Sequence, residues 1–297
     1  MIVIINLRWI VPLFLVAGAC SASPASDGLA VMATTSILGD VTERLVGDVA
    51  TVEVLIPAEA DPHGFQPSAR QAASLRDVDV VFANGLGLEA GLTDVLDAAK
   101  RDGVLVVEVG PEVEPIPFSD NDNLDPHFWL DPKRMSLAAT LITNTVADLA
   151  EPERAQLLSS LASFQSDLAA VDEEVAGLLA GVTNRKLVTN HDSLGYFADR
   201  YGFQVIGTVV PGGSTLASPS PRDVADLIEI VQAERIAAVF TDAAETDSLA
   251  RLVADESGGS VEVVELYIGA LGPIGSGAAG YLEMLQLNAE RISGALS

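Results

Sequence analysis

The chain has only three histidines among its 297 residues, at positions 63, 127 and 191, each 64 residues from the next. They stand in Asp61-Pro62-His63-Gly64-Phe65-Gln66-Pro67, Asp125-Pro126-His127-Phe128-Trp129-Leu130-Asp131-Pro132 and Thr189-Asn190-His191-Asp192-Ser193-Leu194-Gly195. The tripeptide Asp-Pro-His occurs twice, a rigid turn that fixes the direction in which the histidine leaves the backbone. A single loop histidine is ordinarily structural or solvated. Three placed alike suggest a shared task, the binding of one divalent metal through His63, His127 and His191. Neutral imidazole is the commonest side-chain ligand for zinc, and three such ligands leave a fourth position open. The 64-residue spacing is far longer than that of a zinc finger or a metalloprotease helix, so only the fold can bring the three together.

The elements needed to position them are legible. Leu29–Thr35, Val52–Ile56, Asp77–Asn84 and Val104–Val109 read as buried strands, the second running into the His63 loop. Ser36 reads as the N-cap of a helix reaching Gly47, and Gly85–Glu89 turns the third strand into a helix ending near Arg101. Lys133–Leu149 and Glu151–Leu179 read as helices. In the second, Leu157, Leu161, Phe164, Leu168, Val171, Val175 and Leu178 keep helical spacing. The second half repeats the alternation, with strands at Lys186–Asn190, Gln204–Val210, Ile236–Thr241 and Val261–Leu266. It also has a Gly/Ser/Pro loop at Gly212–Pro221 and helices at Arg222–Ala233 and Ala278–Ala295. The expected fold class is therefore α/β, two lobes joined by one long helix, each lobe a mostly parallel sheet flanked by helices. The expected boundaries are 29–150 for the first lobe, 151–181 for the linking helix and 182–297 for the second lobe. Each histidine follows a strand or a loop leaving one, where open α/β sheets place their ligands.

Composition narrows the function. With 49% hydrophobic and 20% charged residues, a globular core is expected. A net charge of −26, from 42 acidic and 16 basic residues, argues against a nucleic-acid partner. Residues 1–19 carry one charge, Arg8, before the apolar run Trp9–Ala17, and read as a signal peptide too short to span a membrane. The small residues before Cys20, the only cysteine, resemble a bacterial lipoprotein signal, with Cys20 the lipidation site and 20–28 a tether. The alternative is an ordinary signal peptide cleaved near Ala22. Either signal places the protein outside the cytoplasm, periplasmic or on the cell surface, and the first anchors it to the membrane by lipid.

Several stretches together resemble the zinc- and manganese-binding solute-binding proteins of bacterial ABC importers. They are Thr34-Thr35-Ser36-Ile37-Leu38-Gly39-Asp40, Pro62–Pro67, Phe82–Glu89, Asp125–Pro132, His191-Asp192-Ser193 with Gly195-Tyr196-Phe197, and Tyr281-Leu282-Glu283-Met284 with Asn288. The resemblance implies a monomer that captures a metal ion between two lobes and delivers it to a membrane permease. It also implies ligands at His63 and His127, and a third ligand that is His in zinc-type members and often Glu in manganese-type ones. His191 then favours Zn(2+) over Mn(2+), as nitrogen donors do. The family's fourth ligand is commonly an Asp in a stretch like Leu266–Gly272, where this chain has Gly269, leaving the place to water or to another carboxylate such as Asp242. The loop before the second histidine carries Asp120, Asp122 and Asp125 in place of the family's histidine-rich insertion. Two other functions fit three histidines on this scaffold: a zinc hydrolase using an activated water, and a surface adhesin.

Overall fold

The structure is a computed structural model that describes residues 28–118, 122–258 and 260–297. The signal segment, Cys20 and Asp120 lie outside these residues. The first lobe holds β1 (Leu29–Ala33), β2 (Ala50–Val54), β3 (Val80–Ala83) and β4 (Leu105–Glu108), all parallel and ordered β2-β1-β3-β4. The second holds β5 (Lys186–Thr189), β6 (Gln204–Thr208), β7 (Ala238–Asp242) and β8 (Glu262–Leu266), parallel in the corresponding order β6-β5-β7-β8. The two sheets thus share a winding. β1 and β3 are central and largely apolar, as strands covered on both faces must be.

The helices are α1 (Ser36–Val46), α2 (Ala69–Ser74), α3 (Thr93–Arg101), α4 (Pro132–Leu149), α5 (Arg154–Leu179), α6 (Gly195–Tyr201), α7 (Pro221–Glu234), α8 (Ser248–Glu256) and α9 (Tyr281–Leu296). Three of them, α2, α6 and α8, are too short for their apolar spacing to stand out from the surrounding loops. The N-cap of α1 is Thr35, whose Oγ1 accepts from Leu38 N, and not Ser36. Ser36 Oγ instead accepts from Leu271 N of the other lobe, 3.0 Å away. The helix expected to follow Glu89 directly begins only at Thr93. Before it, Gly85, Leu86 and Gly87 all adopt positive φ, and the buried Glu89 carboxylate accepts from Thr34 Oγ1, Asn84 N and Gly85 N. The carboxylate fastens the turn, and a single 3₁₀ turn, Ala90–Leu92, links it to the helix.

α5 is the long connector. At 1.5 Å per residue its 26 residues span about 39 Å. Its buried stripe is Leu157, Leu161, Phe164, Leu168, Val171, Val175 and Leu179, so the last contact is Leu179 and Leu178 lies half-buried beside it. A 3₁₀ turn, Glu151–Glu153, precedes it with Pro152 in its first positions. The stripe belongs to one continuous core that includes side chains of α1, α4 and α9, and so of both lobes. Fully burying each such aliphatic side chain contributes about 1.5–3 kcal/mol. Polar bonds also cross between the lobes. Trp129 Nε1 donates to Ile268 O at 2.8 Å, and Tyr281 Oη donates to Trp129 O at 2.6 Å. Among the described residues, no helix is long and apolar enough to cross a membrane.

Candidate metal centre

All three histidines stand beyond the carboxyl ends of strands. His63 lies on the loop leaving β2, His127 on the irregular segment after β4, and His191 two residues past the end of β5. The repeated Asp-Pro-His turn folds the same way twice. Asp61 Oδ1 accepts from His63 N, and Asp125 Oδ1 accepts from His127 N, each at 2.9 Å. An aspartate two residues ahead thus closes the turn on the histidine's own amide, a local bond that Asp side chains favour.

The fold brings the three imidazoles together. His127 Nε2 is 3.3 Å from His63 Nε2 and 3.3 Å from His191 Nε2. The three rings are buried, and their ligand atoms all lie within 4.8 Å of one another. This spacing fits a specific occupant. With zinc–nitrogen bonds of 2.0–2.1 Å in a tetrahedron, neighbouring ligand nitrogens are separated by about 3.3–3.4 Å. Among the described residues it is the one group of three or more His, Cys, Asp or Glu ligands drawn so close.

Electrostatics keep two of the rings ready to coordinate. Burial, with the neighbouring His127 and His191, pulls His63 down from 6.5 to about 3. Burial, with His191, holds His127 well below its ordinary value. Its Nδ1 lies 2.7 Å from Asp125 Oδ1, a hydrogen bond of a neutral imidazole and not a true ion pair. Burial in turn pushes Asp125 up to about 7, against the opposing hydrogen bond from the His127 amide. With the proton on Nδ1, His127 presents the lone pair of Nε2 to the cluster. His191 goes the other way. Burial alone would lower it, but Glu245 beside Nδ1, then Asp242 and Asp61, raise it above 6.5.

The sequence leaves the fourth position to water or to another carboxylate such as Asp242. Asp242, at the end of β7, is buried but stands outside the ligand group. Its Oδ2 accepts from Gly269 N at 2.7 Å, and its Oδ1 accepts from Ala244 N and more weakly from Ile268 N. It braces the chain ends of β7 and β8, so its first role is the fold. A Cβ placed on Gly269 would fall 3.0 Å from Asp242 Oδ2 and 3.1 Å from Pro62 Cδ. The glycine therefore makes room for the Asp242 carboxylate and for the His63 loop. Asp61 is also engaged, its Oδ2 accepting from Thr215 Oγ1 across the cleft.

Sequence reasoning missed Glu245, whose Oε1 is 3.1 Å from His191 Nδ1. Nothing in Ala243-Ala244-Glu245-Thr246 distinguishes this glutamate from a surface one. Asp125 had a signal, the Asp two residues before His in both turns. Two openings lie beside the site, and the first reaches His63. One, of about 590 Å³, is lined by His63, Leu86, Phe118, Pro126 and Ser214. The other, of about 390 Å³, is lined by Asp61, Asn190, Thr215 and Glu245. At the first, the Phe118 ring lies against Gly213, where a Cβ would come 1.9 Å from Phe118 Cζ.

Known proteins share this architecture. The family described as zinc-uptake complex component A, periplasmic (ZnuA), matches residues 31–295. The manganese-binding lipoprotein MntA of Bacillus subtilis is 31% identical over 289 residues, covering 94% of each chain. The zinc-binding lipoprotein AdcA of Streptococcus pneumoniae is 26% identical over 266 residues, 85% of this chain and 52% of its own length. The solved structure of the periplasmic zinc-binding protein TroA from Treponema pallidum superposes with a TM-score of 0.85 at 24% identity. It covers 91% of this chain and 99% of its own, a likeness that bears on the fold. The chain belongs to the ZnuA family, the metal-binding, substrate-binding components of ABC transporters.

Proposed function

We propose that the protein captures one zinc ion outside the cytoplasm through His63, His127 and His191 and hands it to the membrane permease of an ABC importer. The observation that carries this reading is the pair of 3.3 Å separations between Nε2 atoms, the spacing of neighbouring ligands on a tetrahedral zinc. Relatives differ in their metal, MntA binding manganese and AdcA zinc. The choice for this chain rests on its donors. Three nitrogens suit zinc, whereas manganese prefers carboxylate and water oxygen. The fourth position is filled by water on this reading, because Asp242 is engaged by backbone amides and Gly269 has no side chain. The ion is cargo and the protein a carrier. Family membership favours transport over a hydrolytic or adhesive role.

The relatives are lipoproteins, which supports acylation of Cys20 and a membrane-anchored location. On this reading 20–28 is the tether, 29–150 and 182–297 are the lobes, and 151–181 contains the linking helix. A competition titration with zinc and manganese on the mature protein tests the metal. Zinc should displace manganese and bind more tightly, as the affinity order for nitrogen donors implies. Equal or greater affinity for manganese would contradict the assignment.

A further inference from the structure

Glu245 occupies an unusual position. One carboxylate oxygen, Oε2, accepts from the side-chain amide of Asn190, the residue just before His191. The other, Oε1, faces His191 Nδ1 at 3.1 Å, yet the two atoms miss the angle of a hydrogen bond, and both are buried without another partner. The Glu245 side chain is only 9% exposed. Among the described residues, no Lys or Arg lies within ion-pair distance of it. A buried carboxylate oxygen with no partner is costly, and so is a buried imidazole N–H. A small rotation of the imidazole would satisfy both at once.

The dication explains why such a pair would be left open. Three neutral imidazoles bring no charge to an ion of +2 in a buried site, and position 269 brings none either. Two carboxylates stand directly behind ligand rings, Asp125 behind His127 at 2.7 Å and Glu245 behind His191. Ligand histidines commonly donate their second ring N–H to such a group, which fixes the tautomer and strengthens the donor nitrogen. We infer that Glu245 is a positioning residue for the cation: it takes the Nδ1–H of His191, turns Nε2 toward the metal and, together with Asp125, supplies the negative charge that no fourth side-chain ligand provides. The inference rests on the reading of the three histidines as ligands. It makes the site neutral through residues behind the ligands.

Glu245→Gln tests this on the mature full-length chain with zinc itself as the probe. Glutamine keeps the length and one acceptor oxygen for His191 but removes the charge, and its amide nitrogen then bonds Asn190 once the Asn190 amide turns over to offer its oxygen. The variant should bind zinc 10–100-fold more weakly, the range seen when such supporting partners are lost. At a pH where His191 is neutral, its metal-free melting temperature should be unchanged or higher, because a buried charge with no cationic partner has gone. With cobalt(II) in the site, the visible absorption band of the variant should shift relative to the native protein, reporting a changed histidine donor. Native binding of zinc with undiminished affinity in the variant would overturn this inference alone. So would a fall in metal-free stability with affinity and cobalt spectrum unchanged, which would make Glu245 a brace of the fold. A native protein that does not bind zinc would overturn the metal-centre reading and this inference with it.

Discussion

Replacing Gly269 by alanine and by aspartate separates packing from charge at the edge of the site. Gly269 is not among the residues with positive φ, so its backbone accepts a side chain without strain. The obstacle is space, because a Cβ would sit 3.0 Å from Asp242 Oδ2 and 3.1 Å from Pro62 Cδ, closer than ordinary contact. Overpacking of this kind costs about 1–3 kcal/mol, and Gly269→Ala measures it. Gly269→Asp adds a second carboxylate beside Asp242. Two such charges about 4 Å apart repel by about 4 kcal/mol at an effective dielectric near 20. The protein has a cheaper escape. Burial already pushes Asp242 up to about 6, with Glu245 adding to it. Protonating Asp242 at pH 7 therefore costs about 1.4 kcal/mol, one pKa unit, and that caps the charge penalty.

The sign follows from that proton. At pH 7.5 the metal-free Gly269→Asp protein should melt below Gly269→Ala, and the gap should close as the pH falls through 6 and Asp242 takes up its proton. Zinc attracts both carboxylates, so the melting temperature of Gly269→Asp should rise more on adding zinc than that of Gly269→Ala. Calorimetric scans of both variants at pH 5.5 and 7.5, with and without zinc, make the comparison. A metal-free aspartate variant as stable as the native chain at pH 7.5 would refute the crowding of Gly269 by Asp242.

Two further outcomes are expected. His63 and His127 stay uncharged far below neutrality, so among the three ligands only His191, held above 6.5, must lose a proton to admit the metal, and Asp125, pushed up to about 7, gives up a second one behind His127. Zinc affinity should be full above the raised His191 and Asp125 values and fall by about tenfold to a hundredfold per pH unit below them, the slope of one to two competing protons. Titrations from pH 7.5 to 5 check this, and a slope near three would contradict it. The lobes share one core along α5 and are tied by the Trp129–Ile268 and Tyr281–Trp129 bonds. The radius of gyration from solution scattering should therefore change by less than about 1 Å on adding zinc, against a larger compaction for a protein that closes on a flexible hinge.

What could be read from the sequence follows the range of the forces involved. Strands such as Val80–Ala83 and the α5 stripe are written in local periodicity, and the three histidines stand out because they are so few. The Asp-Pro-His turns close on bonds within three residues, so they too are local. Contacts made at long range have no such trace. Glu245 reaches His191 only because β7 lies beside β5 in the second sheet. Ser36, a plausible cap by sequence, is drawn instead to Leu271 in the other lobe. Asp242 has the residue type of a ligand, but the amides of residues 244, 268 and 269 claim its oxygens once β7 and β8 pair. Short helices such as α6 offer too few turns for a periodic signal, and their place is set by packing.

The central claim is that His63, His127 and His191 together hold the metal. Metal analysis of the purified, dialysed mature protein beside a variant with all three changed to alanine tests it most directly, with circular dichroism showing that both are folded. The account predicts about one zinc per native chain and none held by the folded variant. Stoichiometric zinc retained by the triple variant would contradict it.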